Sequence, residues 1–309
     1  MVSERDESIM TSAEFRIFSD LLRSRCGLHF DEATRFLVEK RLVRRIQDTD
    51  LGSVASYLHL LRNGPGAEDE LSTIIDILTT NETYFFRERS QLDALVEEAL
   101  PEMLSRPARR GRPISIWSAG CSSGEEPFSI VMLAAEAGLV PGRDFRVYAS
   151  DISRTVLANA RRGVYREAAF RDTEEHFRSR YFSEKDGLTC ISDDVKREVD
   201  FIHLNLLDSA RVSLLGTMDV ILCRNVIIYF DLETKKRVVK TFHEKLEPGG
   251  YLFLGHAESL ISVTSDFELK HLSRDLVYRR PVPGEEREDP WHALARSGIS
   301  SVERDGSGL

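Results

Sequence analysis

A switch in hydrophobic period near residue 112 limits the fold of this chain more than any other feature. Before it, apolar residues recur at helical spacing. Leu71, Ile74, Ile75 and Leu78 fall at i, i+3, i+4 and i+7, and Phe15, Phe18 and Leu22 mark a similar stripe. Ser53 and Ser90 stand where N-caps belong, ahead of Val54-Tyr57-Leu58-Leu61 and Leu92-Leu95-Val96-Ala99. No strand is expected before residue 112. The segment SRPARRGRP, residues 105–113, is rich in Pro, Gly and Arg and reads as a linker. Beyond it, Ile114–Ser118 is β-like, Glu126–Ala137 helical, Phe145–Ser150 β-like and Ser153–Arg162 helical. That β-α-β-α rhythm requires a parallel sheet with helical crossovers.

Further strands are expected at Val199–Leu204, Met218–Cys223 and Tyr251–Gly255, with a helix over Leu232–Leu246 stopped by Pro248-Gly249-Gly250. Phe267–Leu272 and Leu276–Arg280, joined by Ser273-Arg274-Asp275, read as a closing hairpin. The fold class is therefore α/β: a doubly wound, mixed sheet ending in an antiparallel hairpin. An all-α N-terminal domain is expected at 1–105, a linker at 106–112 and the α/β domain at 113–281. Between about 163 and 198 the rhythm breaks, which points to a small inserted β-subdomain with one short helix, Glu174–Tyr181. The polar tail, 282–309, is expected to be disordered, with Trp291 its one candidate for docking.

Composition removes several functions. With 42 basic and 51 acidic residues the net charge is −9, the wrong sign for a protein that grips nucleic acid through phosphates. No run of about 18 apolar residues offers a membrane span, and the charged start MVSERDESIM has no signal-peptide core. A cytoplasmic protein without membrane insertion is expected. Cys26, Cys121, Cys190 and Cys223 are scattered, without the spacing of a zinc site, and read as small buried thiols. No metal is expected.

The turn SAGCSSGEEP, Ser118–Pro127, links the first strand to a helix, where backbone N–H groups approach a ligand. A dinucleotide site would want G-x-G-x-x-G there. Instead only Gly120 and Gly124 occur, and Glu125-Glu126 open the helix. Those carboxylates either just suit the helix dipole or face a cationic or amino-acid ligand; a pyrophosphate would be repelled. Asp151, at the end of the second strand, can take both hydroxyls of a ribose, unless it merely caps the next helix, a role open to Ser153. Together they favour a nucleoside without phosphates, such as S-adenosylmethionine, with its sulfonium and ammonium.

Six motifs occur in an order that resembles the CheR chemotaxis receptor methyltransferases: TTNETYFFRE (Thr79–Glu88), SAGCSSGEEPFSIVM (Ser118–Met132), ASDIS (Ala149–Ser153), NLLD (Asn205–Asp208), CRNVIIYFD (Cys223–Asp231) and LEPGGYLFLGHAES (Leu246–Ser259). The resemblance covers about residues 12–280. It implies the S-adenosylmethionine-dependent methyltransferase variant of the doubly wound fold, and methyl esterification of receptor glutamates with S-adenosylhomocysteine as product. By the same resemblance Asn81, Thr83, Arg87, Glu125, Asp151, Asn205, Leu206, Arg224 and Asn225 match cofactor contacts. Arg87 and Tyr229 match positions at the methyl-transfer centre. Tyr84, Phe85 and Phe86 read as packing residues, and a buried Arg224 must find a partner.

Arg41, Arg44 and Arg45 share a face of one helix, opposite Val38, Leu42 and Ile46, a basic ridge on an acidic chain. It is either a solvated face or, as the resemblance implies, the surface that meets the acidic methylation region of methyl-accepting chemotaxis receptors. Some relatives tether a C-terminal receptor pentapeptide through the inserted subdomain. Here Tyr181–Asn205 is short around Glu184–Leu188, so no tether is expected, and a monomer is expected. Rival readings are a nucleic-acid methyltransferase, which would want N-P-P-Y after the fourth strand, where this chain has R-N-V-I-I-Y, or a Pro-Cys nucleophile, which it lacks, and a catalytically silent signalling module, against which Arg87, Asn225 and Tyr229 stand.

Overall fold

A computed structural model describes residues 9–107, 111–185 and 187–285. Trp291 and most of the polar tail lie outside the described residues, as does the middle of the 106–112 linker.

Four helices open the chain: α1 (Ser12–Cys26), α2 (Arg35–Asp48), α3 (Val54–Asn63) and α4 (Ala67–Leu78). Their caps follow from local chemistry. Thr11 and Glu14 form a reciprocal capping box at α1, and the Ser53 side chain accepts the Ser56 N–H at α3. The apolar stripes interlock: Phe15, Phe18 and Leu22 of α1 bury against Val38, Leu42, Tyr57, Leu61, Leu71 and Ile74. This core ends at Leu78.

The next helices, α5 (Arg89–Ala94), a π-helical turn (Leu95–Ala99) and α6 (Leu100–Ser105), belong elsewhere. Leu92, Leu95, Val96, Leu100 and Met103 pack into the core of the sheet, beside Ile114, Phe128 and Phe253. The N-terminal helical core therefore stops near residue 79, not at 105, because the apolar face of α5–α6 matches the sheet's surface. Ser90 does not cap this helix. It lies inside α5, whose N-cap is Glu88 in a left-handed conformation (φ 52°).

The second domain is a seven-stranded sheet in the order β6-β2-β1-β7-β8-β10-β9. Its strands are β1 (Ile114–Ala119), β2 (Phe145–Asp151), β6 (Val199–His203), β7 (Met218–Cys223), β8 (Leu246–Leu254), β9 (Glu268–His271) and β10 (Leu276–Arg279). The β6-β2-β1-β7-β8 block is parallel, and β10 pairs antiparallel with both β8 and β9. β7 is buried along its whole length, the near-continuous apolar run that a parallel central strand demands. Crossovers are supplied by α7 (Glu125–Glu136), α8 (Arg154–Arg162), α11 (Ser209–Leu214) and α12 (Leu232–Lys245). The Leu246-Glu247-Pro248 segment begins β8 instead of ending the helix.

Between α8 and β6 lies the expected insertion, a three-stranded antiparallel sheet of β3 (Val164–Tyr165), β5 (Leu188–Ile191) and β4 (Phe182–Lys185), with α9 (Glu175–Tyr181) and the single turn α10 (Asp193–Lys196). Among the described residues no helix is long and apolar enough to cross a membrane.

Candidate active site

The strand order reverses between β1 and β7, so the loops leaving their carboxyl ends diverge and open a crevice. A cavity of about 470 Å³ occupies it. Gly120–Ser122 follow β1, Asp151–Ile152 end β2, Leu204–Leu206 follow β6 and Arg224–Val226 follow β7; all line its wall. Gly120 is required by space as well as conformation. At φ 88° a Cβ there would lie 2.4 Å from a Val226 methyl.

Asp151 organises the floor. Its Oδ2 accepts the Ser122 N–H (2.8 Å) and its Oδ1 the Ser153 N–H (2.9 Å). Ser122 needs that grip, since it is a non-glycine residue at φ 48°. Ser153, not Asp151, caps α8 by accepting the Val156 N–H. Burial pushes the Asp151 carboxyl up, opposed by N–H bonds from Ser153, Ser122 and Ile152. An amide that could have cradled a phosphate is thus already held by a carboxylate.

The two glutamates that open α7 divide. Successive helical side chains point about 100° apart, so only one can face the crevice. Glu126 does: it lines the cavity, accepts the Ser118 hydroxyl (2.6 Å) and pairs with Arg224 (3.0 Å). Glu125, the residue favoured from sequence, points inward and is buried, with Ser123 Oγ its donor at 2.8 and 3.0 Å. Nothing in the sequence distinguished the two positions. Burial raises the Glu125 carboxyl to about 7. A group raised in the fold stabilises fully below its unfolded value and loses that stability as pH climbs through the folded one. Glu125→Gln should therefore leave the melting temperature at pH 4 little changed and raise it at pH 8, by an amount worth about 3 kcal/mol. Thermal melts at the two pH values check this; equal shifts would contradict it.

Arg224 is buried, its side chain 2% exposed, and binds Glu88 and Glu126 at 3.0 Å each while donating to the Arg87 carbonyl. Its role is to join the TTNETYFFRE loop to α7. Phe85 and Phe86 of that loop are fully buried, as expected of packing residues, and Phe86 (φ 62°) and Glu88 (φ 52°) are left-handed. Asn81, Thr83 and Arg87 reach the cavity from the same loop. Arg87 donates to the Glu82 carbonyl (2.8 Å) and lies near the Tyr84 ring.

The other predicted residues also meet there. Asn205 and Leu206 line the wall; Asn205 donates to the Arg25 carbonyl and accepts the Leu207 N–H. Asn225 and Tyr229 line the same cavity. The Tyr229 carbonyl accepts the His29 N–H (2.9 Å), and Leu28 forms a bridge with Phe230. The helical domain is thus stitched to the crevice, and Phe30, Thr34 and Leu37 complete its mouth. Those three were missed in the sequence, where α2 showed only as amphipathic.

The basic ridge is split. Arg41 lines the cavity, donating to the Leu78 carbonyl (2.9 Å), and Arg44 is exposed. Arg45 is turned to Glu70, Nε to Oε1 2.8 Å, and Tyr57 donates to the same carboxylate (2.6 Å). Its charge is spent inside the helical domain, so it does not face a partner as the ridge required.

Two family descriptions account for nearly all of this chain. Residues 13–79 match "CheR methyltransferase, all-alpha domain" and residues 81–275 match "CheR methyltransferase, SAM binding domain". The chain belongs to the CheR methyltransferase family. The division at residue 80 is where the two cores separate. A CheR relative from Vibrio cholerae, Chemotaxis protein methyltransferase 2, is 40% identical over 92% of this chain and 98% of its own length. The Chemotaxis protein methyltransferase of Escherichia coli K12 is 36% identical over 84% and 89%. Among solved structures, the magnesium protoporphyrin IX methyltransferase of Synechocystis with bound SAM is 14% identical, covering 78% of this chain and 96% of that one at TM-score 0.35, too distant to bear on this site.

S-adenosylmethionine is the cofactor of this CheR-family methyltransferase, and the crevice suits it. Two carboxylates, Asp151 and Glu126, stand in a wall without a phosphate cradle, matching hydroxyls, an ammonium and a sulfonium. Among the described residues no cluster of metal-ligating side chains occurs.

Proposed function

We propose that this methyltransferase esterifies the side-chain carboxylates of glutamates in the methylation region of chemotaxis-type receptors. One observation carries the reading: a single cavity is lined by carboxylates, Asp151, Glu126 and Glu82, and by guanidinium groups, Arg41, Arg87 and Arg224, of which Arg224 is bound to Glu88 and Glu126. The carboxylates suit a cationic nucleoside, and Arg41 and Arg87 suit an anionic acceptor. In this reading Asp151 takes the ribose hydroxyls and Glu126 the cationic end. Asn205 and Leu206 border the adenine, while Asn81, Thr83 and Asn225 complete the cofactor's surroundings.

When bound, S-adenosylmethionine supplies an electrophilic methyl on a positively charged sulfur. A glutamate with pKa about 4.3 is already ionised near neutrality, so the chain needs no general base. The acceptor oxygen forms the new C–O bond as the C–S bond breaks, and no proton moves. What remains for the protein is alignment and exclusion of water. Tyr229 closes one side of the reacting end. Arg87 orients the acceptor; a guanidinium gripping both oxygens would lower their nucleophilicity. Arg41 and exposed Arg44 attract an acidic receptor helix to an otherwise acidic protein, an encounter that salt weakens.

The test incubates the protein, cofactor and a receptor cytoplasmic fragment, then measures methanol released by alkali, the signature of a methyl ester. Arg87→Ala should lower turnover at least tenfold more than it weakens S-adenosylhomocysteine binding. Equal losses would contradict the orienting role, and no alkali-released methanol with intact protein would overturn the proposed function.

A further inference from the structure

The loop after β7, Asn225 to Phe230, carries Asn225, Val226, Ile228 and Tyr229 into the cavity wall. Little in its own sequence holds it there. Asn225 is left-handed (φ 59°), a state asparagine accepts more readily than other residues with a side chain. The loop makes only a short 3-10 turn, Ile227–Tyr229. The N–H groups of Tyr229 and Phe230 find the Val226 and Ile227 carbonyls within the loop, but those of Asn225, Val226 and Ile228 need acceptors from outside it.

One carboxylate collects them. Glu258 Oε2 accepts the N–H groups of Asn225 (2.7 Å) and Gly255 (2.8 Å), and Oε1 those of Val226 (3.0 Å) and Ile228 (3.2 Å). Glu258 itself is not among the residues lining the cavity. The link is supported by the close approach of Gly255, where a Cβ would lie 2.7 Å from Asn225 Nδ2 and 2.9 Å from its backbone nitrogen. Gly255 has no positive φ, so space alone requires glycine.

We infer that Glu258 is a positioning residue for methyl transfer, fixing Asn225 and Tyr229 by binding four backbone N–H groups at once. A carboxylate can do this because it presents only acceptors, whereas an amide has one acceptor oxygen and turns two donors toward N–H groups already seeking partners. The inference rests on the cofactor lying in this cavity.

The experiment compares the full-length wild type with Glu258→Gln, measuring S-adenosylhomocysteine affinity by calorimetry, turnover per binding-competent site and melting temperature. Glu98→Gln is the control for general loss of stability. Its carboxylate accepts the Ser273 N–H (2.9 and 3.1 Å) outside the cavity wall. Glu258→Gln should weaken binding at least tenfold and lower turnover by a similar factor, with Glu98→Gln unchanged in both. Wild-type affinity and turnover in folded Glu258→Gln, or equal losses in the two variants, would overturn the inference. If Glu258→Gln does not fold, Gly255→Ala decides. It keeps the carboxylate but displaces Asn225, so it should lose affinity to the same extent, and unchanged affinity would refute the inference. Failure of the wild type itself to bind would instead refute the placement of the cofactor.

Discussion

Replacing Arg224 with methionine should destabilise this methyltransferase by about 3–5 kcal/mol, the cost of breaking a buried ion pair from one side. The guanidinium is the shared partner of Glu88 and Glu126 and a donor to the Arg87 carbonyl. Without it two mostly buried carboxylates remain side by side with no cation between them. The loss should depend on pH in a defined direction. Burial alone would raise the Glu88 carboxyl, yet it lies below its ordinary value because Arg224 attracts and hydrogen-bonds it. In the wild type that depression stabilises above the unfolded value and is lost as pH falls through the folded one. In Arg224→Met burial is opposed only by the smaller attractions of His256 and Arg87, so the variant should be weakest at pH 8 and partly recover near pH 5. Scanning calorimetry should show a fall of roughly 5–15 °C at neutral pH. Adding Glu88→Gln and Glu126→Gln should restore much of that stability without restoring cofactor binding, because Glu126 also faces the cavity. A melting temperature unchanged in Arg224→Met would remove the buried bridge from the account.

Asp151→Asn should weaken S-adenosylhomocysteine binding at least a hundredfold, about 3 kcal/mol. Two effects combine. The carboxylate accepts the Ser122 and Ser153 N–H groups with separate oxygens, and an asparagine can satisfy only one of them with its oxygen. The other N–H then meets an NH2 group, which costs about 1–3 kcal/mol for an unsatisfied donor and leaves strained Ser122 free to move. The second loss is that of an ionised acceptor for the ribose hydroxyls. Calorimetry on a variant that melts within a few degrees of wild type separates binding from folding. A fall of less than tenfold would mean that Asp151 only shapes the turn.

The fold was legible where hydrophobic period and turn chemistry agreed. β7 emerged from Met218–Cys223 with the same ends in sequence and structure, because a central parallel strand is apolar on both faces. The closing hairpin was readable to within a residue at its ends, and the insertion was readable as a small β-subdomain but not strand by strand. The place of α5 and α6 was not, since an amphipathic helix declares an apolar face without saying which core receives it. Their assignment to the sheet moved the domain boundary from 105 to near 79. Most of the candidate site was legible through ordered motifs, and those residues do converge on one cavity. What escaped was orientation. Glu125 and Glu126 differ only in which way the first turn of α7 points them, and Arg45 differs from Arg44 only because Glu70 lies beneath it. The contribution of Thr34 and Leu37 depends on how two domains dock, which no local pattern encodes.

In the proposed function the crevice between β1 and β7 receives the cofactor with its sulfur beside Tyr229. A crystal structure of the full chain with S-adenosylhomocysteine tests it most directly. Ribose hydroxyls are expected on Asp151, the adenine against Leu206, and the sulfur on the side of Arg87 and Tyr229. Density for the ligand elsewhere, or the reverse orientation with adenine beside Tyr229, would contradict it.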